Sequence, residues 1–235
     1  MKFDKPVLPA VMIKRYKRFL ADVRLENGDE ITVHCANSGS MKTCWGEDWP
    51  VLIQDSQNPK RKLQYTLEMT HNGDTWIGVN TQVPNQIVKE ALKAKKLSPF
   101  LDYDSVRPEV KISDKSRIDF YLDGVGDQPD CLIEVKNVTL LEEDGCVSFP
   151  DAVSTRGQKH LQELMDFKQK GYRCAMVYTV QRSDGQSFRP AEEIDPRYAQ
   201  LLREAVEQGV EVYVFQASLS EEGVELLDKC LPVKL

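Results

Sequence analysis

The sequence lacks the features that identify zinc-ribbon, secreted or membrane-spanning proteins. Its six cysteines include no pair with the two-residue spacing of metal ligands, and Cys131 and Cys174 lie in apolar runs, where cysteine acts as a small hydrophobic residue. No apolar stretch approaches the roughly 20 residues that a membrane-spanning helix needs. The N-terminal apolar run is broken by Pro9 and precedes its basic residues, unlike a signal peptide. We therefore expect a soluble cytoplasmic protein with reduced cysteines and no membrane partner.

The chain also lacks an overall positive charge. It has 31 Lys and Arg against 37 Asp and Glu, a formal net charge of −6, so no global field indicates a nucleic-acid partner. The distribution is uneven, because residues 1–80 hold 11 basic and 10 acidic residues whereas residues 81–235 hold 20 and 27. A nucleic-acid site would therefore depend on local basic clusters, and the first third of the chain is the favoured place for them.

The first 82 residues have the pattern of a small all-β domain. Short runs of strand composition alternate with turn signals rich in Gly, Asn and Asp, and these runs cover residues 11–13, 19–25, 30–35, 51–54, 63–69 and 75–79. Five or six closely spaced strands in about 80 residues favour a closed barrel of the oligonucleotide/oligosaccharide-binding (OB) type. An immunoglobulin-like sandwich would usually need more residues.

Two basic clusters lie in this predicted barrel. The first, at residues 14–19, alternates cations with aromatic rings and could pair with phosphates while stacking on bases. The second, at residues 60–62, follows a turn. We predict that the DNA-binding residues are Arg15, Tyr16, Lys17, Arg18, Lys60, Arg61 and Lys62. The alternative is that each cluster is only a solvated surface with its aromatic residues turned inward.

The remaining residues, 83–235, alternate between strand and helix patterns, which predicts a mixed α/β sheet with flanking helices. Asn85 is a candidate N-cap for the first helix, and Ser154 or Thr155 for the second. The fully apolar run at 174–180 is typical of a strand covered on both faces. The predicted helices cover residues 86–97, 151–171, 195–209 and 221–229, and the predicted strands cover 106–112, 174–180 and 210–215, with a hairpin at 116–136.

The candidate catalytic and metal-binding residues lie on this hairpin. Turn-forming residues at 123–129 separate two apolar runs, and Asp119 and Glu134 are symmetric about the turn, so their side chains should lie side by side. Lys136 falls on the same face because alternate residues of a strand share a face. The opposite face should join a core through Ile118, Phe120, Leu122, Cys131, Ile133 and Val135.

Two carboxylates, with the carbonyl group of Val135 between them, could supply oxygen ligands to Mg²⁺ or Mn²⁺, which need few protein ligands because they retain water. Lys136 could hold or deprotonate an attacking water and stabilise charge that develops on a phosphate. The alternative is a cross-strand salt-bridge set on a solvated hairpin, worth about 0–1 kcal/mol.

The combination of Asp119 with Glu134-Val135-Lys136 resembles the PD-(D/E)xK nuclease signature, although Ile118 replaces the proline. The whole chain also resembles the sugar fermentation stimulation protein A (SfsA) family, in runs at residues 15–23, 34–41, 117–120, 133–140, 149–153 and 156–161. The resemblance implies a prokaryotic cytoplasmic protein with an OB-like barrel at 1–82 and a nuclease-like α/β domain at 83–235. It also implies DNA binding without strong sequence preference and a regulatory link to sugar (maltose) metabolism.

Carried over to this sequence, the resemblance implies catalytic positions at Asp119, Glu134 and Lys136, with Asp119, Glu134 and Val135 as metal ligands. Candidate accessory residues are Glu90, Gln158 and His160. Three functions follow as hypotheses: a binding protein for duplex or single-stranded DNA, an active Mg²⁺-dependent DNA or RNA nuclease, and a barrel that binds a sugar or a protein.

Overall fold

The structure is a computed structural model that describes residues 1–113 and 116–235. Its N-terminal domain is a β-barrel, in agreement with the predicted OB-like fold. The strands pair in the order β3-β2-β1-β4-β5-β6, and an additional parallel pairing of β3 with β5 closes a five-stranded barrel. The six strands are β1 (Val7–Tyr16), β2 (Leu20–Leu25), β3 (Glu30–Cys35), β4 (Pro50–Asp55), β5 (Tyr65–His71) and β6 (Trp76–Gly78).

The barrel interior is filled by the inward-pointing residues of these strands. Met12, Val23, Val33, Ile53 and Leu67 are fully buried in one cluster. Within β1, β2 and β3 the buried positions are two residues apart, as a strand with one solvated face requires: Ala10 and Met12, Ala21 and Val23, Val33 and Cys35. The barrel closes because backbone groups of β3 and β5 pair with each other, which removes free strand edges.

The C-terminal domain is a mixed α/β domain, as predicted. Its main sheet has the order β15-β14-β12-β9-β8-β7, in which β9, β12 and β14 are parallel and the outer pairings are antiparallel. A small second sheet has the order β10-β11-β13. The elements are α1 (Val83–Lys93), β7 (Ser105–Ser113), β8 (Ser116–Asp123), β9 (Cys131–Val138), β10 (Leu140–Leu141), β11 (Cys146–Phe149), α2 (Thr155–Gln169), β12 (Arg173–Val180), β13 (Ser187–Pro190), α3 (Pro196–Glu207), β14 (Glu211–Ser220) and β15 (Gly223–Cys230).

Helices cover both faces of the main sheet. On one face, α1 packs Ile87 and Val88 against the sheet. On the other face, α2 and α3 pack Leu161 and Leu202 against it. The central strand β12 contributes to both cores, which confirms that its apolar run reflects burial on both sides. Ser154 caps α2 as predicted, since its hydroxyl accepts a hydrogen bond from the N–H group of Gly157.

Two element predictions were wrong. The predicted C-terminal helix at 221–229 is instead β15, which pairs with β14 in an antiparallel hairpin. Val224 and Leu226, two residues apart, are the buried positions, so the apolar pattern has the period of a strand. Helix α1 begins at Val83 rather than after Asn85, because Pro84 fits a first turn where no N–H donor is needed. The small β10-β11-β13 sheet was not predicted, because its strands have only two to four residues.

The two domains contact each other through buried polar groups. Arg182 is 1% exposed and donates to the carbonyl groups of Thr43 and Thr139 at 3.2 and 2.8 Å. Asp151 accepts from the N–H group of Met41 at 3.3 Å. These bonds hold the barrel against the α/β domain. No helix in residues 1–113 and 116–235 is long and apolar enough to cross a membrane.

Candidate metal and phosphate site

The hairpin of β8 and β9 has the predicted register. Phe120 pairs with Ile133 and Leu122 with Cys131, so the same register sets Asp119 opposite Glu134. The predicted core face is confirmed for Phe120, Leu122, Cys131, Ile133 and Val135, which pack in the α1-side cluster. Ile118 packs instead in the α2-side cluster, at a point where the β8–β9 pairing has already ended.

Asp119 lies where the backbone ladder of the hairpin stops. Its Oδ2 accepts a hydrogen bond from the N–H group of Val135 at 2.7 Å, and its Oδ1 accepts one from Asn85 Nδ2 of α1 at 2.7 Å. Burial, and then the neighbouring charge of Glu134, raise the pKa of Asp119 to about 6. The site therefore holds a carboxylate whose ionised form is unfavourable without a nearby cation.

Glu134 is only 3% exposed, and its Oε1 receives two partners. Lys136 Nζ lies 2.5 Å from this oxygen, and His160 Nδ1 of α2 also contacts it. Burial alone would raise the pKa of Glu134, but the hydrogen bond with His160 and the charge of Lys136 outweigh it and hold the pKa below its ordinary value. Asp119 and Glu134 are thus two adjacent carboxylates whose environments move their pKa values in opposite directions, a pattern typical of functional sites.

His160 is held in one orientation by both of its ring nitrogens. Arg156 Nε donates to its Nε2 at 3.4 Å, so the proton of a neutral ring lies on Nδ1, facing Glu134. The same Nδ1 is 3.2 Å from Lys136 Nζ. Lysine, histidine and carboxylate therefore form one compact polar group beneath α2, which a solvated surface salt bridge would not require.

The donor set suits a hard divalent cation with few protein ligands. Lys136 and His160 both contact Oε1 of Glu134, so Oε2 takes part in neither of these contacts. In the described parts of the chain, no three His, Cys, Asp or Glu side chains come together as a metal cluster. A cation here would take the two carboxylates, the carbonyl group of Val135 and water, which is a composition that Mg²⁺ and Mn²⁺ accept.

Asp119 is accessible from the α1 side. A cavity of about 440 Å³ lies between α1 and the β7–β8 hairpin, and its lining includes Asp119, Asn85, Lys89 and Lys93. Asn85 was not predicted at the site, because it was interpreted as a helix cap. The earlier start of α1 instead places it within the first turn, where its amide reaches Asp119.

The predicted accessory residues occupy three different environments. His160 joins Glu134 and Lys136, as described above. Gln158 is turned away and donates to Asp195 Oδ1 at 2.9 Å, near the start of α3. Glu90 lines the same cavity as Asp119, but its carboxylate is 2.7 Å from the N-terminal ammonium group of Met1.

The basic residues of the barrel also differ in what they contact. The guanidinium group of Arg15 donates to the carbonyl groups of Arg18, Asn37, Gly39 and Ser40. The Tyr16 hydroxyl donates to Asp22 Oδ1 at 3.0 Å. The remaining five predicted residues are exposed cations, namely Lys17, Arg18, Lys60, Arg61 and Lys62.

Comparison with known proteins covers both domains. A family model described as the sugar fermentation stimulation protein RE domain matches residues 82–223, and one described as the SfsA N-terminal OB domain matches residues 13–79. Sugar fermentation stimulation protein homologs from Geotalea uraniireducens and Geotalea daltonii are 46% and 48% identical, over 97% and 98% of this chain and 98% of each relative. The homolog from Pseudoalteromonas atlantica is 47% identical over 96% of this chain and 97% of its own length.

A solved structure shares the complete fold. The structure of Pyrococcus furiosus SfsA in complex with Ca²⁺ superposes with a TM-score of 0.88, covering 100% of this chain and 98% of the other. Its sequence identity is 22%, so this likeness concerns the fold alone. The arrangement of barrel and α/β domain is therefore common to both proteins.

Proposed function

The chain belongs to the sugar fermentation stimulation protein (SfsA) family, and from this premise we propose that it binds DNA without sequence preference and carries a divalent-metal site for phosphodiesters. The observation that carries the proposal is half-buried Asp119 next to buried Glu134 and Lys136. Two adjacent carboxylates would repel a phosphate, so binding alone would not require them. A cation bound between the carboxylates and the phosphate would neutralise this repulsion, so the same residues would then favour phosphate binding.

The residues have distinct roles in this proposal. Asp119, Glu134 and the carbonyl group of Val135 would hold Mg²⁺ or Mn²⁺, which supplies a Lewis acid for phosphate oxygens. Asn85 and the N–H group of Val135 orient Asp119, while His160 and Lys136 fix Glu134. The Ca²⁺ named for the Pyrococcus furiosus relative is also a hard cation that prefers oxygen ligands, which supports this donor set.

The barrel supplies the sequence-independent part of binding. Its exposed cations at Lys17, Arg18 and residues 60–62 can contact phosphates, and each contact releases counterions from DNA. The acidic α/β domain, by contrast, would approach DNA only when its carboxylates are neutralised. The name of the relatives adds a regulatory role in sugar fermentation to the proposal.

A second candidate function is hydrolysis of DNA or RNA. It is favoured by Lys136, whose ammonium group contacts Glu134 and His160 and would supply a positive charge beside an attacking water, while a bound cation would lower the pKa of that water so that its proton can pass to solvent. In this function Lys136 positions the water, and His160 keeps the Glu134 carboxylate oriented.

The test is a gel-shift titration of duplex DNA with Mg²⁺, with Ca²⁺ and with EDTA, for the wild type and for Asp119→Ala. We expect the divalent ions to tighten binding by the wild type only. Equal affinities in all conditions and in both proteins would exclude the metal site.

Incubation of labelled DNA and RNA with Mg²⁺ or Mn²⁺ separates the two functions, since a nuclease would cleave and its Lys136→Ala variant would not. Affinity for an oligosaccharide or a protein, with none for nucleic acid, would contradict both.

A further inference from the structure

One aromatic ring stands out on the surface of the barrel. Phe19 is 48% exposed, and it is the only aromatic residue classed as exposed within residues 1–113 and 116–235. Its ring lies nearly parallel to that of His34 on β3, with an interplanar angle of 12° and ring centroids 6.5 Å apart. Phe19 therefore offers an accessible apolar surface beside the nearly parallel ring of His34.

The turn that presents Phe19 is held in an unusual backbone conformation. Lys17 and Arg18 have φ angles of 48° and 61°, a left-handed region that residues other than glycine rarely adopt. Arg15 stabilises this turn, since its Nη2 donates to the Arg18 carbonyl at 3.0 Å and to the Asn37 carbonyl at 2.9 Å. The exposed side chains of Lys17 and Arg18 are thus attached to a fixed turn directly before the exposed ring.

His34 connects this turn with the second basic cluster. It lines a polar cavity of about 250 Å³ together with Lys5 and Arg61, and Arg61 is anchored by a bond to Thr66 Oγ1 at 3.1 Å. Burial, and then the charge of Arg61, lower the pKa of His34, so its ring is neutral at neutral pH. The first basic cluster thus directly precedes Phe19 in the chain, and Arg61 of the second, about 45 residues further on, shares a cavity with His34.

We propose that the Phe19–His34 pair is a stacking platform for an unpaired nucleobase and that Lys17, Arg18 and Arg61 bind the adjoining phosphates. An aromatic face flanked by cations is the arrangement by which proteins bind single-stranded nucleic acid. The bases of a duplex are already stacked on each other and cannot cover the ring. The inference rests on the proposed nucleic-acid function and adds that the barrel prefers a single strand.

The experiment uses the full chain and a fluorescein-labelled oligothymidylate, measured by anisotropy beside a duplex of equal length. We expect Phe19→Ala to weaken single-strand binding about tenfold, as stacking on one aromatic residue predicts, and Phe19→Trp to retain it. The duplex affinity should stay unchanged in both variants. Leu101→Ala, which removes another exposed apolar side chain of the described chain, serves as a matched control and should bind like the wild type.

Three results would overturn the proposal. Unchanged single-strand affinity of Phe19→Ala would exclude the ring from the interface. An equal loss for single strand and duplex would show that the ring does not recognise unpaired bases. Displacement of the oligothymidylate from Phe19 by an aromatic-containing acidic peptide, at equal concentration, would indicate a protein partner. Metal-dependent duplex binding measured in the same titrations tests the general function separately, so failure of one can be told from failure of the other.

Discussion

Replacement of Asp119 by asparagine should make the metal-free protein more stable at neutral pH. The pKa of this half-buried carboxyl is raised from 3.8 to about 6 in the folded chain. Because each pKa unit corresponds to about 1.4 kcal/mol, ionisation of Asp119 costs the native state about 3 kcal/mol at pH 7.5. Asparagine keeps the shape and an acceptor for the N–H group of Val135 while removing the charge.

The sign of the pH dependence follows from the folded and unfolded pKa values. A raised folded pKa means that the native state binds the proton more tightly, so the contribution of Asp119 to stability falls as the pH rises from about 4 to about 6. We therefore expect the free energy of unfolding of Asp119→Asn to exceed that of the wild type by up to about 3 kcal/mol at pH 7.5 in EDTA. Near pH 4 this difference in stability should disappear. The rearrangement of Asn85, which now faces an amide, reduces the gain.

The assay is urea unfolding between pH 4 and 7.5, in EDTA and in Mn²⁺. A bound cation should remove the cost of ionisation and stabilise the wild type by about 2.7 kcal/mol at one hundred times its dissociation constant, with little effect on Asp119→Asn. Asp123→Asn is the matched control on the same strand, because the pKa of Asp123 is lowered beside Ser105 and Arg107 and its removal should bring no gain at pH 7.5. A stability difference for Asp119→Asn that is independent of pH, or an equal Mn²⁺ effect on both proteins, would refute the reasoning.

Three further predictions concern the neighbours of this site and the barrel. His160→Ala should destabilise the protein by about 1–3 kcal/mol at pH 7 in urea unfolding, because buried Glu134 loses a hydrogen-bond partner; an unchanged midpoint would contradict this. Replacing Lys17 and Arg18 together by alanine should lower the slope of log affinity against log salt for duplex DNA by about 2, since each phosphate contact contributes about 0.9; an unaltered slope would remove both from the interface. Arg15→Lys should weaken DNA binding and thermal stability despite its retained charge, because a single ammonium group cannot reproduce the spread of the guanidinium group over four carbonyl groups; wild-type values would show that only charge matters.

The register of the hairpin could be predicted because it depends on local properties of the sequence. Alternation in a strand has a period of two, and the turn-forming residues at 123–129 fix the pairing, so Asp119 and Glu134 had to be neighbours. The barrel was predictable for the same reason. Its closure through β3 and β5, however, joins strands that are distant in sequence and is visible only in the structure.

The parts that sequence reasoning missed depend on contacts between distant segments. Arg15 belongs to a basic run, yet its donors are used by the carbonyl groups of a loop more than 20 residues away. Gln158 lies on the correct helix but only two residues before His160, which places it on another face of α2, where its amide donates to Asp195 at the start of α3. The final strand β15 was predicted as a helix because a short apolar run does not reveal its period until β14 lies beside it.

Titration of the protein with Mn²⁺, followed by calorimetry or by the loss of the free-ion electron paramagnetic resonance signal, tests the metal site most directly. Wild type, Asp119→Ala and Glu134→Gln are compared at pH 7.5, with Asp123→Asn as the control. The proposed site predicts one ion bound per chain by the wild type and the control, with at least tenfold weaker binding by the two site variants. Absence of binding by the wild type, or equal binding by all four proteins, would contradict a metal site formed by these carboxylates.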